Sequence, residues 1–253
     1  MNAMLSLLRL SRSSQKPAST IRQDVADLPW PVMFRKIKQA RQLTLRLDHK
    51  KRHIALTMPW RASQREAQAF LLSQKEWILA QMERVPEPYQ LEIGSVIPVL
   101  GVMRTIKHVA GGGRGVQVSM TETELLVTGT ESRAPRALYR FLKDLAQRHM
   151  TDLAFEKAAL IQKPIKSVVF RDTSTRWGSC THTGDLSFCW RLIMAPTEIV
   201  DYVVGHEVAH LVHMHHEASF WALCRQLTPY TTMGKNWLRQ HGESLRVALP
   251  PVA

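Results

Sequence analysis

The run Asp201-Tyr202-Val203-Val204-Gly205-His206-Glu207-Val208-Ala209-His210-Leu211-Val212-His213 decides how this chain is read. It is apolar on more than one side, which predicts a buried helix over Thr197–His213. Two of its histidines, His206 and His210, stand four residues apart. At that spacing side chains lie about 40° apart around a helix and about 6 Å along it, so both imidazoles can converge on one cation from consecutive turns. Glu207, about 100° round from His206, can reach a water in the same place without being a ligand. Ionisable groups in a buried helix are costly unless something pairs with them. A divalent cation would satisfy both rings, and core histidines held by ordinary hydrogen bonds are the competing reading.

HExxH on a helix is the zincin arrangement. Zn²⁺ bound there lowers the pKa of a coordinated water towards roughly 7, and the neighbouring carboxylate takes the proton as a carbonyl or phosphoryl centre is attacked. A third ligand must come from farther along. His213 lies about 10 Å along the axis from His206 if the helix continues. His215, His216 and Glu217 follow, where the chain can turn back. His216 completes the spacing HExxHxxxxxH and is the preferred ligand, with Glu217 and His215 as competitors. Cys180 as a fourth ligand would close the open position. Tyr230, Arg176 and His182 are candidates to stabilise a developing oxyanion.

Outward from this helix, Ile165–Phe170 and Leu186–Ile193 read as strands separated by a polar loop, Asp172–Thr183. Helices are predicted near Ala218–Leu227 and Lys235–Val247, with Trp237 and Leu238 as core packing. Upstream, Ser132 opens a long helix with Pro135 in its first turn and Leu138, Leu142, Leu145 and Leu153 on its apolar side. Strands are expected over Ile97–Val109, Gly115–Ser119 and Leu125–Thr128. The glycine run Gly111-Gly112-Gly113-Arg114-Gly115 reads as a loop, since no GKS or GKT follows it. Ser63 stands three residues before Glu66, a capping-box spacing that opens a helix ending before Pro86. Leu43, Leu45 and Leu47, then Ile54, Leu56 and Met58, alternate with polar neighbours across Asp48-His49-Lys50-Lys51, the pattern of a β-hairpin. No internal repeat is visible.

The chain has 253 residues with 45% hydrophobic and 22% charged, which excludes wholesale disorder. No apolar stretch approaches the roughly 20 residues of a spanning helix. Three cysteines are too few for a disulfide scaffold and suit a reducing, cytoplasmic setting. Residues 1–60 carry 12 Lys/Arg against 3 Asp/Glu, while residues 151–253 carry 10 against 9. The positive field is therefore N-terminal and favours polyanions such as nucleotides or nucleic acid. Three segments are expected: a disordered tail over residues 1–23, a basic β-rich portion over 24–130, and a catalytic portion over 131–253.

Several stretches together resemble the YgjP-like family of zinc metallopeptidases, itself similar in pattern to SprT-like and WLM proteases. They are Arg176-Trp177-Gly178-Ser179-Cys180, Trp190-Arg191-Leu192, Ala195-Pro196, Asp201-Tyr202-Val203-Val204, the HEVAHL run and Phe220-Trp221. Arg35–Arg41 and Trp77-Ile78 are similar too. One departure is His215-His216-Glu217, where the family usually has Asn-His-Ser. The resemblance implies an α+β zincin-like fold with the HExxH helix on a small sheet. It implies zinc on His206, His210 and His216, with Glu207 as general base, and a polypeptide substrate. It also implies two rivals: hydrolysis of nucleoside triphosphates at the same site, and a nucleic-acid-associated protease or binding module that uses the basic segment around Lys36, Lys38 and Arg41. The Trp177–Cys180 run either shapes an edge strand for substrate or forms a tight turn in the core.

Overall fold

The computed structural model describes residues 20–25, 28–49, 51–83, 87–111, 115–173 and 175–249. The chain divides into two compact units, residues 1–84 and 85–253, rather than near residue 130. Most of the expected tail, and Gly112-Gly113-Arg114 of the glycine run, lie outside the described residues. The tail's last four residues form a strand.

In the first unit, β1 (Thr20–Gln23), β2 (Val32–Ile37), β3 (Thr44–Asp48) and β4 (His53–Pro59) form one sheet in the order β1-β2-β4-β3. The alternating residues of the expected hairpin pair antiparallel, with Leu45 opposite Leu56 and Leu47 opposite Ile54. Ile54, Leu56 and Met58 are buried with Val32 and Phe34. Helices α1 (Gln64–Ser73) and α2 (Lys75–Glu83) bury Ala67, Leu71 and Ile78 in the same core. The capping box forms as its spacing predicts: the Ser63 side chain accepts from the Glu66 N–H at 3.1 Å, and the Ser63 N–H donates to Glu66 Oε2 at 2.7 Å. Gln74 breaks what the sequence reads as one helix into two.

The second unit repeats the same strand logic. Strands β5 (Val96–Val99), β6 (Val102–His108), β7 (Gln117–Met120) and β8 (Glu124–Thr128) pair in the order β5-β6-β8-β7. In both four-stranded sheets the central pair is parallel and both outer pairs are antiparallel, and each sheet is followed by helix. The repeat invisible in the sequence thus exists in strand order. The expected strand over residues 97–109 is two strands, because Leu100 and Gly101 turn the chain with φ of 51° and 79°.

Helix α3 (Ala134–Leu160) buries Leu138, Leu142, Ala146, Met150, Ala154 and Ala158 at intervals of four. The smaller members let α4 (Thr197–Ala209) and a 3-10 turn at Trp190–Met194 pack closely on it. A small mixed sheet of β9 (Ser167–Arg171), β10 (Gly178–Cys180) and β11 (Asp185–Cys189), in the order β10-β11-β9, lies against α4 through β10. Strand β10 interrupts the expected loop 172–183. The strand read over 186–193 ends at Cys189, where the 3-10 turn takes over. Helices α5 (Ala218–Leu227) and α6 (Thr231–Val247) complete an α+β unit. Among the described residues no helix is long and apolar enough to cross a membrane.

Candidate metal centre

Helix α4 begins directly after Pro196 and buries Ile199, Val200, Val203, Val204 and Val208. Gly205 permits close packing: a β-carbon there would stand 3.0 Å from Thr228 Cγ2. The helix does not run to His213. It ends with His210 as its C-cap, and the Leu211 and Val212 N–H groups close onto Val208 and Ala209, three residues back. The chain then reverses and enters α5 through Glu217. That reversal brings His216 back over the end of α4.

One nitrogen from each of His206, His210 and His216 lies within 4.8 Å of the other two. Nε2 of His206 and Nε2 of His216 are 3.1 Å apart. Two nitrogens bound to one tetrahedral zinc ion would be about 3.3 Å apart. Nδ1 of His210 lies 2.9 Å from the His213 carbonyl; a carbonyl only accepts, so Nδ1 carries the proton and Nε2 presents its lone pair. Nδ1 of His206 is buried without a hydrogen-bond partner among the described residues. Burial first, then the neighbouring His210, His216 and Lys235 charges, hold the His206 pKa down to about 3, and burial also lowers that of His210. These rings are neutral at ordinary pH. Three converging imidazoles, with His210 Nε2 left free to donate its lone pair, form a donor set that fits a divalent metal.

The aromatic residues of α5 frame the three rings. Phe220 is fully buried, with its centroid 4.5 Å from His210, 4.7 Å from His216 and 5.0 Å from His206. Trp221 stacks on His216 at 5.4 Å and 22°, and its Nε1–H donates to the His216 carbonyl at 3.1 Å. Lys235 Nζ lies 3.2 Å from the Trp221 ring centroid. His216 is exposed, and its ring is held between His206, Phe220 and the Trp221 stack.

Glu207 points from α4 towards β10 and is buried at 6% exposure. Its carboxyl pKa is pushed up to about 8 by burial, against the opposing charge of Arg176. Strand β10 can pass this close because residue 178 is glycine: a β-carbon there would fall 2.6 Å from Glu207 Oε1. Upstream, the chain is tethered on both sides. Buried Arg191 grips the Asp172 carboxylate with two nitrogens at 2.7 and 3.2 Å, while Arg246 donates to the Thr173 carbonyl and lies over Trp177.

The other sequence candidates fall elsewhere. His213 contributes its carbonyl rather than its ring, and neither His215 nor Glu217 belongs to the cluster. Cys180 donates to the Thr181 carbonyl, and burial first, then Glu207 and Asp185, push its pKa up to about 11. It is a thiol outside the cluster and does not close the site. Of the oxyanion candidates, Arg176 is the one whose charge acts on Glu207; Tyr230 is 36% exposed at the start of α6. Trp237 and Leu238 pack against the core as expected. The framing roles of Phe220, Trp221 and Lys235 were not read from the sequence. The adjacent aromatic pair four residues beyond His216 was the available signal.

Residues 41–241 match the YgjP-like, metallopeptidase domain family. No curated protein and no solved structure matches the chain. The family match covers well over half the chain and contains all three clustered histidines and Glu207, so the chain belongs to the YgjP-like metallopeptidase-domain family.

Proposed function

We propose that this protein is a zinc-dependent peptidase in which His206, His210 and His216 hold the ion and Glu207 is the general base. The convergence of three imidazoles within 4.8 Å, beside a buried carboxylate on the same helix, carries the reading. Three nitrogen donors suit zinc and leave a coordination position open. Zinc bound there supplies Lewis-acid polarisation of the scissile carbonyl and acidifies the attacking water. Glu207 takes one proton from that water as its oxygen bonds to the carbonyl carbon. It returns the proton to the amide nitrogen as the C–N bond breaks. Phe220 walls the rings off from solvent on the core side, and Trp221 holds His216 in register with His206. The free edge of β10 offers main-chain groups along which an extended polypeptide can lie.

Metal analysis joined to turnover of an unfolded protein substrate tests this. His206→Ala should lose bound zinc. Glu207→Gln should keep it and lose about 100- to 10,000-fold in turnover. Zinc-dependent hydrolysis of nucleoside triphosphates without peptide cleavage would replace the peptidase reading with the phosphohydrolase one.

A further inference from the structure

The outer face of the small sheet carries a second polar feature. Gly178 turns its α-carbon to Glu207 on the α4 side, so by strand alternation Ser179 points the other way. Ser187 lies directly opposite Ser179, and Arg171 opposite Cys189, which places them all on that outer face. With Thr173, Thr175, Arg176 and Trp177, and with Gly178 and Phe188 of the strands themselves, they line a cavity of about 200 Å³. No carboxylate lines it. Of the acids near it, Asp172 is turned to buried Arg191, and Asp185, two residues before Ser187 on the same face, is held by Ser167, Thr181, Thr183 and Lys166. Among the described residues neither Arg171 nor Arg176 has a salt bridge, although the Arg176 charge also acts on Glu207, and neither Ser179 nor Ser187 has a side-chain hydrogen bond. Two guanidinium groups with serine hydroxyls around a cavity form a receptor for an oxyanion.

The cavity lies beside an unpaired strand edge. Among the described residues, strand β10 pairs only with β11. The Cys189 N–H reaches the Trp177 carbonyl, and the Thr181 N–H reaches the Asp185 carbonyl. The odd-numbered residues of β10 therefore face β11, and the main-chain groups of Gly178 and Cys180 face the open edge. A polypeptide added along that edge alternates its side chains between the two faces of the sheet. One set lies on the Glu207 side; the next side chain in sequence lies on the cavity side.

Resting on the peptidase reading, we infer that the Arg171–Arg176–Ser179–Ser187 cavity is a substrate subsite for an oxyanion-bearing side chain, the carboxylate of Asp or Glu or the phosphate of a phosphoserine. The test is cleavage, by the zinc-loaded full chain, of a peptide library with Asp, Glu, phosphoserine and uncharged residues at every position, with products read by mass spectrometry. An anionic residue should be favoured about tenfold or more at one position next to the cleaved bond, and the carboxylate and phosphate arms show which oxyanion is preferred. Arg171→Gln and Ser187→Ala should erase that preference while uncharged peptides are cut as before. Cleavage without an anionic preference, or a preference unchanged in both variants, overturns the subsite and leaves the peptidase reading standing. If nothing is cleaved, the peptidase reading fails separately, and inorganic phosphate becomes the probe. Phosphate should shift the Arg171 and Arg176 side-chain NMR signals in the wild type but not in Arg171→Gln, and unshifted wild-type signals refute the cavity as an oxyanion site.

Discussion

The Glu207 side chain lies directly on the backbone of Gly178: a β-carbon built there would be 2.5 Å from Cγ and 2.6 Å from Oε1 of the carboxylate. The candidate base is thus positioned by its own helix and by a main-chain surface that only glycine leaves open. Gly178→Ala must displace either the strand or the carboxylate. Misplacing a catalytic group by about 1 Å costs on the order of 100-fold. We expect turnover to fall by that order while zinc stoichiometry stays at the wild-type value, because the three atoms nearest the added β-carbon all belong to Glu207 and none to a histidine. Loss of zinc in Gly178→Ala would show that the contact supports the helix rather than the carboxylate.

The third ring depends on Trp221 for both its stacking partner and the hydrogen bond to its own carbonyl. Groups that orient metal ligands typically contribute about 10- to 100-fold in metal affinity. Trp221→Ala is expected to weaken zinc binding by that factor, measured by chelator competition. Trp221→Phe keeps a ring but loses the N–H donor and should fall between. Equal affinity in all three proteins would mean that His216 needs no clamp.

Which features were legible in the sequence follows from how local their causes are. The Ser63–Glu66 cap, the β3–β4 alternation and the bounds of α5 arise from residues within a few positions of one another, and the structure has them as read. Strand β10 does not. Gly178-Ser179-Cys180 has no alternation, and its strand state comes from pairing with β11. The Leu100–Gly101 turn hid inside an apolar run because a leucine at φ 51° gives no sequence signal. At the candidate site, the i, i+4 histidine pair was readable from helix geometry, and His216 from spacing. The early end of α4 at His210, which makes His216 rather than His213 the third ring, comes from 3-10 closure of the last turn. The Trp221 clamp depends on that same reversal.

Helix α4 is also held from behind. Lys157 of α3 is nearly buried, pairs with Asp201 Oδ1 at 2.6 Å and donates to the Leu227 carbonyl at 2.7 Å, joining α3, α4 and the end of α5. Removing one partner of such a pair leaves a charge and a carbonyl uncompensated, at about 3 kcal/mol. Lys157→Met should lower unfolding stability by that amount in urea titrations of the metal-loaded protein. The double variant Lys157→Met/Asp201→Leu should recover part of the loss, since it leaves no lone charge. A double variant as unstable as the sum of its singles would show that the two residues do not act as a pair.

The turn between β10 and β11 carries a pH dependence of its own. Asp185 accepts from Thr183 at 2.5 Å, Ser167 at 2.7 Å and Thr181 at 3.1 Å, with Lys166 at 3.5 Å. Hydrogen bonds from Thr183 first and Ser167 second, opposed by burial and helped to a lesser extent by Thr181 and Lys166, hold its pKa down to about 2 from 3.8. The folded pKa lies below the unfolded one, so the unfolded chain binds this proton first as pH falls. The stabilisation is therefore complete above about 4 and is lost as pH drops through about 2. Asp185→Asn, measured beside wild type in denaturant titrations at pH 6, 4, 3 and 2, should be the less stable protein at pH 6. The gap should narrow steadily over the lower three points. A gap that stays constant down to pH 2 would mean that the hydroxyl cluster does not favour the ionised carboxylate, and that its hydrogen bonds serve either protonation state equally.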